Sequence, residues 1–105
     1  MTDTNYKNWY SMSDKALSEH IGLFIKHHRM EQNKSQEVLA TAAGISRSTL
    51  SLLERGKTVT LETLIQVLRT LDVLYIFDVF TVQETLSPLA LAKIEKNKRK
   101  RASNL

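Results

Sequence analysis

The side chains best suited to chemistry lie in the stretch ISRSTLS, residues 45–51. Arg47 carries a planar guanidinium, which can form paired hydrogen bonds with a carboxylate, a phosphate or the edge of a nucleic-acid base. Four short hydroxyl side chains surround it: Ser46, Ser48, Thr49 and Ser51. Hydroxyls both donate and accept hydrogen bonds. The combination indicates polar recognition rather than nucleophilic attack, because no base stands at a spacing that would activate a hydroxyl.

The sequence contains few residue patterns that suit metal binding or enzymatic catalysis. His20, His27 and His28 fall on one predicted helix with Glu31, but histidines on a single helix are more often solvated or core residues than metal ligands. The three glycines are isolated, so no Gly-rich phosphate loop is present. We therefore expect no enzyme, no metal and no cofactor.

The composition favours a single cytoplasmic domain. A length of 105 residues suits one domain with tails. The absence of Cys excludes disulfides and thiolate zinc sites, and it fits a reducing compartment. We expect no signal peptide and no membrane partner, because the start is polar and the apolar stretch 64–82 is interrupted by Arg69, Asp72 and Asp78.

The positive charge belongs to the C-terminal tail. Residues 88–105 hold six basic side chains and one acidic side chain, a formal charge of +5, while the whole chain carries +4. Residues 1–87 therefore carry −1. The high pI is not evidence that the folded part binds nucleic acid.

Caps and apolar spacing predict four helices before residue 73. Ser13, Ser35, Ser46 and Thr60 are predicted N-caps. The helices that follow them are predicted over 14 to about 32, 36–43, 47 to about 55, and from 61 onward. Gly44 and Gly56 are predicted to end the second and third helices in the left-handed conformation. The predicted inward residues are Leu17, Ile21, Phe24, Ile25, His28, Val38, Leu39, Ala42, Leu50, Leu53, Leu61, Leu64, Ile65, Leu68 and Leu71.

Two short helices joined by a tight glycine turn form a helix-turn-helix. In that motif the second helix lies in the DNA major groove, and the first braces it against the backbone. The signature here is composite: Gln36, Leu39-Ala40, Ala43-Gly44-Ile45-Ser46, Leu50-Ser51 and Leu53-Glu54-Arg55-Gly56. Each part has its own mechanical role, so the set predicts the motif strongly.

The stretch SQEVLATAAGISRSTLSLLERGKT, residues 35–58, resembles the helix-turn-helix of the XRE family, which includes the phage Cro and lambda-type repressors. The resemblance covers roughly residues 17–72. It implies an all-α, lambda repressor-like bundle of about five helices whose third helix is the recognition helix. It also implies four base-reading positions: Arg47, Ser48, Ser51 and, at the edge, Leu52. The alternative is that these residues form only a solvated face.

The same resemblance implies contacts with DNA phosphates. The candidates are Gln36, Lys34, Ser46, Thr49, Lys57 and Thr58. Lys34 departs from the family, which often has an apolar residue there. In several phage repressors, the positions matching Arg29 and Glu54 form a partly buried ion pair between the first and third helices. Alternatively, Arg29 contacts a phosphate.

The run LYIFDVFTV, residues 74–82, predicts a short strand at about 74–80, because it is rich in β-branched and aromatic residues. A lone strand leaves its backbone groups unpaired, so we expect antiparallel pairing across a homodimer. The predicted dimer strand comprises Leu74, Tyr75, Ile76, Phe77, Val79 and Phe80. The alternative is a fifth helix packing in its own bundle, since short apolar runs are ambiguous.

This layout, with VTLETLIQVLRTLDVLYIF after the recognition helix, resembles the HipB branch of the family. That resemblance implies an antitoxin that represses its own operon as a dimer and binds a HipA-type kinase toxin. We expect an arm at 1–12, the DNA-binding domain at 13–72, the dimerisation strand and connector at 73–87, and a basic helix and tail at 88–105. The tail could contact DNA backbone, bind a partner protein or remain a solvated terminus. The expected function is sequence-specific repression of a palindromic operator on double-stranded DNA, and the alternative is the antitoxin.

Overall fold

The described part of the chain, residues 8–83 and 88–103 of a computed structural model, contains helices and loops and no β-strand. Within these residues, five α-helices and two 3-10 helices follow in order: Trp9–Ser11 (3-10), α1 (Asp14–Glu31), α2 (Gln36–Ala43), α3 (Arg47–Glu54), α4 (Leu61–Thr70), Leu74–Phe80 (3-10) and α5 (Pro88–Ser103). The predicted all-α class is confirmed, and the arrangement fits a lambda repressor-like bundle.

Hydroxyl side chains begin the first four α-helices, as predicted. Ser13, Ser35, Ser46 and Thr60 each accept a hydrogen bond of 3.1 Å from the backbone N–H three residues later. Each bond satisfies a backbone donor that the first helical turn leaves without a partner, a gain of about 1 kcal/mol. The predicted bounds of the second helix, Gln36–Ala43, are the bounds found in the structure.

The same four helices end in left-handed residues that turn the chain sharply. Gly44 and Gly56 have φ of 76° and 74°, which confirms their predicted role. Asn33 and Asp72 do the same at the ends of α1 and α4, with φ of 54° and 62°. After each of the four, the next backbone N–H reaches back to a carbonyl five residues earlier, in a Schellman motif.

The core lies among α1 to α4. Its fully buried members are Ile25, Leu39, Leu50, Val67 and Leu71. Burial of each such side chain stabilises the fold by about 1.5–3 kcal/mol. Predictions of the inward face were wrong at Ile21, Val38, Ala42 and Leu61, all of which are exposed. On α2, Ala40 and Ala43 are buried together with Leu39, because positions 39, 40 and 43 lie on the same side of a helix.

The predicted strand at 74–80 is wrong, since Leu74–Phe80 forms a 3-10 helix. Leu74, Ile76 and Phe77 pack against the core, whereas Val79 and Phe80 are exposed. This distribution does not alternate as a strand requires. Backbone N–H groups in this segment find acceptors nearby. For example, the N–H of Ile76 donates to the carbonyl of Val73 at 3.3 Å. The segment therefore offers no sheet edge for a partner, and the alternative of a helical segment in its own bundle is the correct one.

Among the described residues, neither the 3-10 helix Trp9–Ser11 nor α5 contributes a residue to this core. Trp9 packs edge-on against His20 of α1, with ring centroids 5.2 Å apart. The remainder of the predicted arm, 1–7, and residues 84–87 of the predicted connector lie outside the described residues. Helix α5 begins at Pro88 as predicted, and from Pro88 to Arg99 all of its side chains are exposed except that of Ala90, which is half-buried.

Candidate nucleic-acid interface

The turn between α2 and α3 is fixed by backbone hydrogen bonds. Gly44 adopts φ of 76°, and a Cβ there would meet no atom within 4 Å, so conformation rather than space selects glycine. The next N–H, of Ile45, donates to the carbonyl of Ala40 at 3.0 Å. Ile45 packs against the core, and Ser46 then begins α3. The turn thereby sets the direction in which α3 leaves α2.

Helix α3 has one buried side and one solvent-facing side. Leu50, Leu53 and Glu54 are its buried residues. Arg47 and Ser48 in the first turn are exposed, as is Leu52 in the second, while Ser51 is half-buried. The pairs 47/51 and 48/52 are each four residues apart and so lie on neighbouring rows of the helix. The four predicted base-reading positions therefore share the side of α3 that faces away from the core.

Hydroxyl groups at the start of α3 bond to one another. The Ser46 Oγ accepts the N–H of Thr49 at 3.1 Å, and it lies 2.8 Å from the Thr49 Oγ1 and 3.0 Å from the Ser48 Oγ. Ser46 is thus occupied as a cap. A base or phosphate reaching Ser48 or Thr49 would exchange one of these hydroxyl contacts for its own.

The predicted phosphate contacts occupy different surroundings. Lys57 and Thr58 follow α3 and are exposed, whereas Lys34 is half-buried. Gln36 begins α2, but its Nε2 donates to the Glu54 Oε1 at 3.1 Å. The structure therefore places the Gln36 side chain against α3, and its amide nitrogen is already bonded within the protein.

Arg29 and Glu54 form an ion pair between α1 and α3. The Arg29 Nε donates to the Glu54 Oε2 at 2.6 Å, and the Arg29 Nη2 donates to Oε1 at 3.0 Å. The Nη1 donates to the carbonyl of Lys34 at 2.9 Å. The side chains are 12% and 4% exposed. All three nitrogens of the Arg29 guanidinium are thus bonded within the protein, an arrangement that favours the structural role expected of Arg29.

The pKa of Arg29 is raised above its ordinary value, chiefly because its side chain donates hydrogen bonds to Glu54, and the charge of Glu54 adds to the effect. A raised pKa contributes stability that is fully present below the pKa of the unfolded chain and is lost only as pH rises through the folded value. For an arginine that loss falls in strong alkali. Arg29 therefore stays charged throughout the physiological range.

Three hydrogen bonds around this site had no signal in the sequence. Besides the Gln36–Glu54 bond, the Gln32 Nε2 donates to the carbonyl of Leu71 at 2.8 Å, which joins the end of α1 to the end of α4. The Arg55 Nε donates to the carbonyl of Ser51 at 3.3 Å, so the Arg55 side chain lies along α3. Only the composite motif drew attention to Glu54 and Arg55, because it places both residues near the end of α3.

The histidines of α1 make local contacts. The His28 ring packs against that of Phe24 at 4.4 Å, and the His27 Nε2 lies 3.5 Å from the Glu31 Oε2. Within residues 8–83 and 88–103, no group of three His, Cys, Asp or Glu side chains is placed to hold a metal ion. In that same part of the chain, no helix is long and apolar enough to cross a membrane.

The geometry defines a helix-turn-helix: two eight-residue helices, a glycine turn and an exposed polar side on the second helix. Residues 25–74, slightly under half of the chain, match the helix-turn-helix family. No curated protein gives a significant match to the chain. The family match runs from Ile25 in α1 to Leu74, the first residue of the 3-10 helix that follows α4. It supports an XRE-type helix-turn-helix in this part of the chain and a role as a DNA-binding transcription regulator, and domains of this class are typically non-enzymatic.

Proposed function

We propose that this chain is a repressor that reads a pseudo-palindromic operator as a homodimer, with one α3 in each half-site. The observation that carries the proposal is the exposed side of α3, where Arg47 and Ser48 stand in the first turn. In helix-turn-helix proteins, N-terminal residues of the recognition helix contact base edges. A DNA ligand and a chain without Cys fit a cytoplasmic site of action.

Arg47 is the residue proposed to read a guanine. Its guanidinium can donate to O6 and N7 together, so Arg47→Ala should weaken operator binding by about 1–3 kcal/mol and relax selectivity at one base pair. Binding is measured by fluorescence anisotropy at fixed salt on the operator and on single-base variants of it. Arg69→Ala is the matched control, because Arg69 is an exposed arginine on α4. Equal effects of the two substitutions would contradict the assignment.

The operator itself can be found by selection. Purified protein is mixed with fragments of its source genome at near-physiological salt, and the bound fragments are sequenced. A palindrome with half-sites about one DNA turn apart supports a dimer with two recognition helices. Recovery of unrelated fragments, with binding lost as salt rises, would instead indicate backbone contacts alone and would remove the base-reading roles of Arg47, Ser48 and Ser51.

An exposed apolar surface supports the homodimer, although no strand is available in the described residues to form it. We define the 75–82 surface as Tyr75, Val79, Phe80 and Val82, which are 63%, 81%, 70% and 85% exposed. Four large apolar side chains exposed within eight residues are typical of a protein contact. A second copy of this chain is the proposed occupant, because an eight-residue α3 covers only one half-site.

Substitution of the 75–82 surface tests the dimer. Val79→Asp with Phe80→Asp should weaken self-association by about 30-fold or more, the loss expected when an aromatic anchor is removed. Sedimentation velocity across a concentration series measures this directly. Leu61→Asp is the control, because Leu61 is also apolar and 77% exposed but lies on α4, away from the 75–82 surface in the sequence. A wild-type chain that sediments as a monomer at high concentration would refute the dimer.

The antitoxin alternative keeps the same DNA contacts and adds a kinase partner. The resemblance to the HipB branch suggests it, and the 75–82 surface offers apolar area for a protein partner. Co-purification with the product of a neighbouring kinase gene, and loss of kinase activity in the complex, would support it. Absence of any such gene would leave the ordinary repressor.

A further inference from the structure

The excess positive charge of this protein is concentrated in α5. Residues 8–83, which contain the helix-turn-helix, hold eight basic and eight acidic side chains and are formally neutral. Residues 88–103 hold six basic side chains and one acidic side chain. Since the phosphate backbone dominates affinity for DNA, a neutral bundle supplies little of the electrostatic attraction that DNA binding normally uses.

The cations of α5 are available to a ligand. Lys93, Lys96, Lys98 and Arg99 are all exposed. In the described part of the chain, no ion pair joins any of them to an acidic side chain. The Cα radius of gyration is 21.2 Å, whereas a compact domain of this length has about 13 Å. Such an excess is expected when a 16-residue helix lies outside the bundle.

We infer that α5 is a second DNA-binding element, which contacts the phosphate backbone of the DNA whose bases α3 reads. The inference rests on the proposed function for its target. Cations that replace condensed counterions gain free energy from counterion release, and the gain is independent of sequence. Helix α5 thus supplies affinity, while α3 supplies selectivity.

The pattern of α5 favours DNA over an anionic membrane. A helix that lies in a membrane interface needs one continuous apolar face. Leu91 and Ile94 share one side of the helix, but Leu89 points about 160° away from Leu91, so the three exposed large apolar side chains form no continuous face. Of the four exposed cations, Lys93, Lys96 and Arg99 follow one another at intervals of three residues along one side of the helix, and Lys98 lies on the opposite side. A ligand that is charged over an extended surface suits this distribution.

The experiment compares two variants of the full chain that lose equal charge. One carries Lys96→Gln, Lys98→Gln and Arg99→Gln in α5, and the other carries Lys15→Gln, Lys26→Gln and Arg69→Gln on exposed positions of α1 and α4. Affinity for a random-sequence duplex and for the selected operator is measured from low to physiological salt. For the α5 variant, the slope of log K against log salt should become shallower by up to about 2.7, or ~0.9 for each phosphate that is no longer neutralised.

The ratio of operator to random-sequence affinity separates this inference from the proposed function. In the α5 variant both affinities should fall together, so the ratio is preserved, whereas Arg47→Ala should lower the ratio. Equal slopes for the two charge variants would overturn the α5 assignment and leave base reading by α3 intact. Loss of binding to phosphatidylglycerol vesicles without any change on DNA would also overturn it, in favour of a membrane. If Arg47→Ala left the ratio of operator to random-sequence affinity unchanged, the proposed function would be refuted. The salt dependence of DNA binding by the α5 variant would still test the α5 assignment.

Discussion

Glu54→Gln should lower the free energy of unfolding by about 3–5 kcal/mol, the usual cost of breaking a buried ion pair by removing one partner. The substitution keeps the shape of the side chain but leaves the Arg29 charge without its counterion at a site where the two side chains are only 12% and 4% exposed. It also turns one acceptor oxygen into a donor that faces the Arg29 donors. Urea denaturation followed by circular dichroism measures the change.

Glu31→Gln is the matched control, because it makes the same chemical change at an exposed carboxylate that contacts only His27 and His28. We expect a change within about 0.5 kcal/mol there. The double variant Arg29→Met, Glu54→Leu should recover most of the stability, since apolar replacement of a whole buried pair is often neutral. A loss in Glu54→Gln no larger than in Glu31→Gln would show that the ion pair contributes nothing to the fold.

The position of this ion pair links stability to recognition. Glu54 is the last residue of α3, and its carboxylate accepts hydrogen bonds from α1 through Arg29 and from the start of α2 through Gln36. Helices α1, α2 and α3 therefore converge on one carboxylate. Loss of Glu54 should accordingly weaken operator binding even at temperatures where the chain remains folded.

The sequence predicted the local structure of this surface well. Capping hydroxyls and glycines act within four or five residues of their own position, so Ser35, Gly44 and Ser46 could be assigned from neighbours alone. Asn33 and Asp72 were harder, because left-handed residues other than glycine are uncommon and few sequence signals mark them. The ends of α1 and α4 were correspondingly less well defined than that of α2.

The strand was mispredicted because burial, not propensity, decides the state of a short apolar run. Leu74, Ile76 and Phe77 all find partners on the core side, and a 3-10 helix is the local conformation that allows this. The Gln36–Glu54 and Gln32–Leu71 bonds join residues 18 and 39 positions apart. No local pattern encodes such pairs, so Gln36 could be expected at the DNA but not at Glu54.

Gly22→Ala should destabilise the fold by about 1–3 kcal/mol, although the same change inside an ordinary helix stabilises by up to about 1 kcal/mol. A Cβ on Gly22 would lie 2.7 Å from the carbonyl carbon of Glu54 and from the carbonyl oxygen of Leu53, and closer still to the carbonyl oxygen of Glu54. These are backbone atoms at the end of α3, so they cannot rotate away. The end of α3 must move off α1, and operator affinity should fall together with the free energy of unfolding.

Gly44→Ala separates steric contact from backbone conformation. Gly44 has φ of 76° and open space around it, so alanine there should cost only the left-handed penalty of about 1–2 kcal/mol. It should not displace the end of α3, and binding measured on the folded fraction should persist. Because Gly22 has an ordinary helical conformation, its whole penalty must come from the contact between α1 and α3. A stabilised Gly22→Ala variant would therefore mean that α3 does not approach α1 as closely as the structure places it.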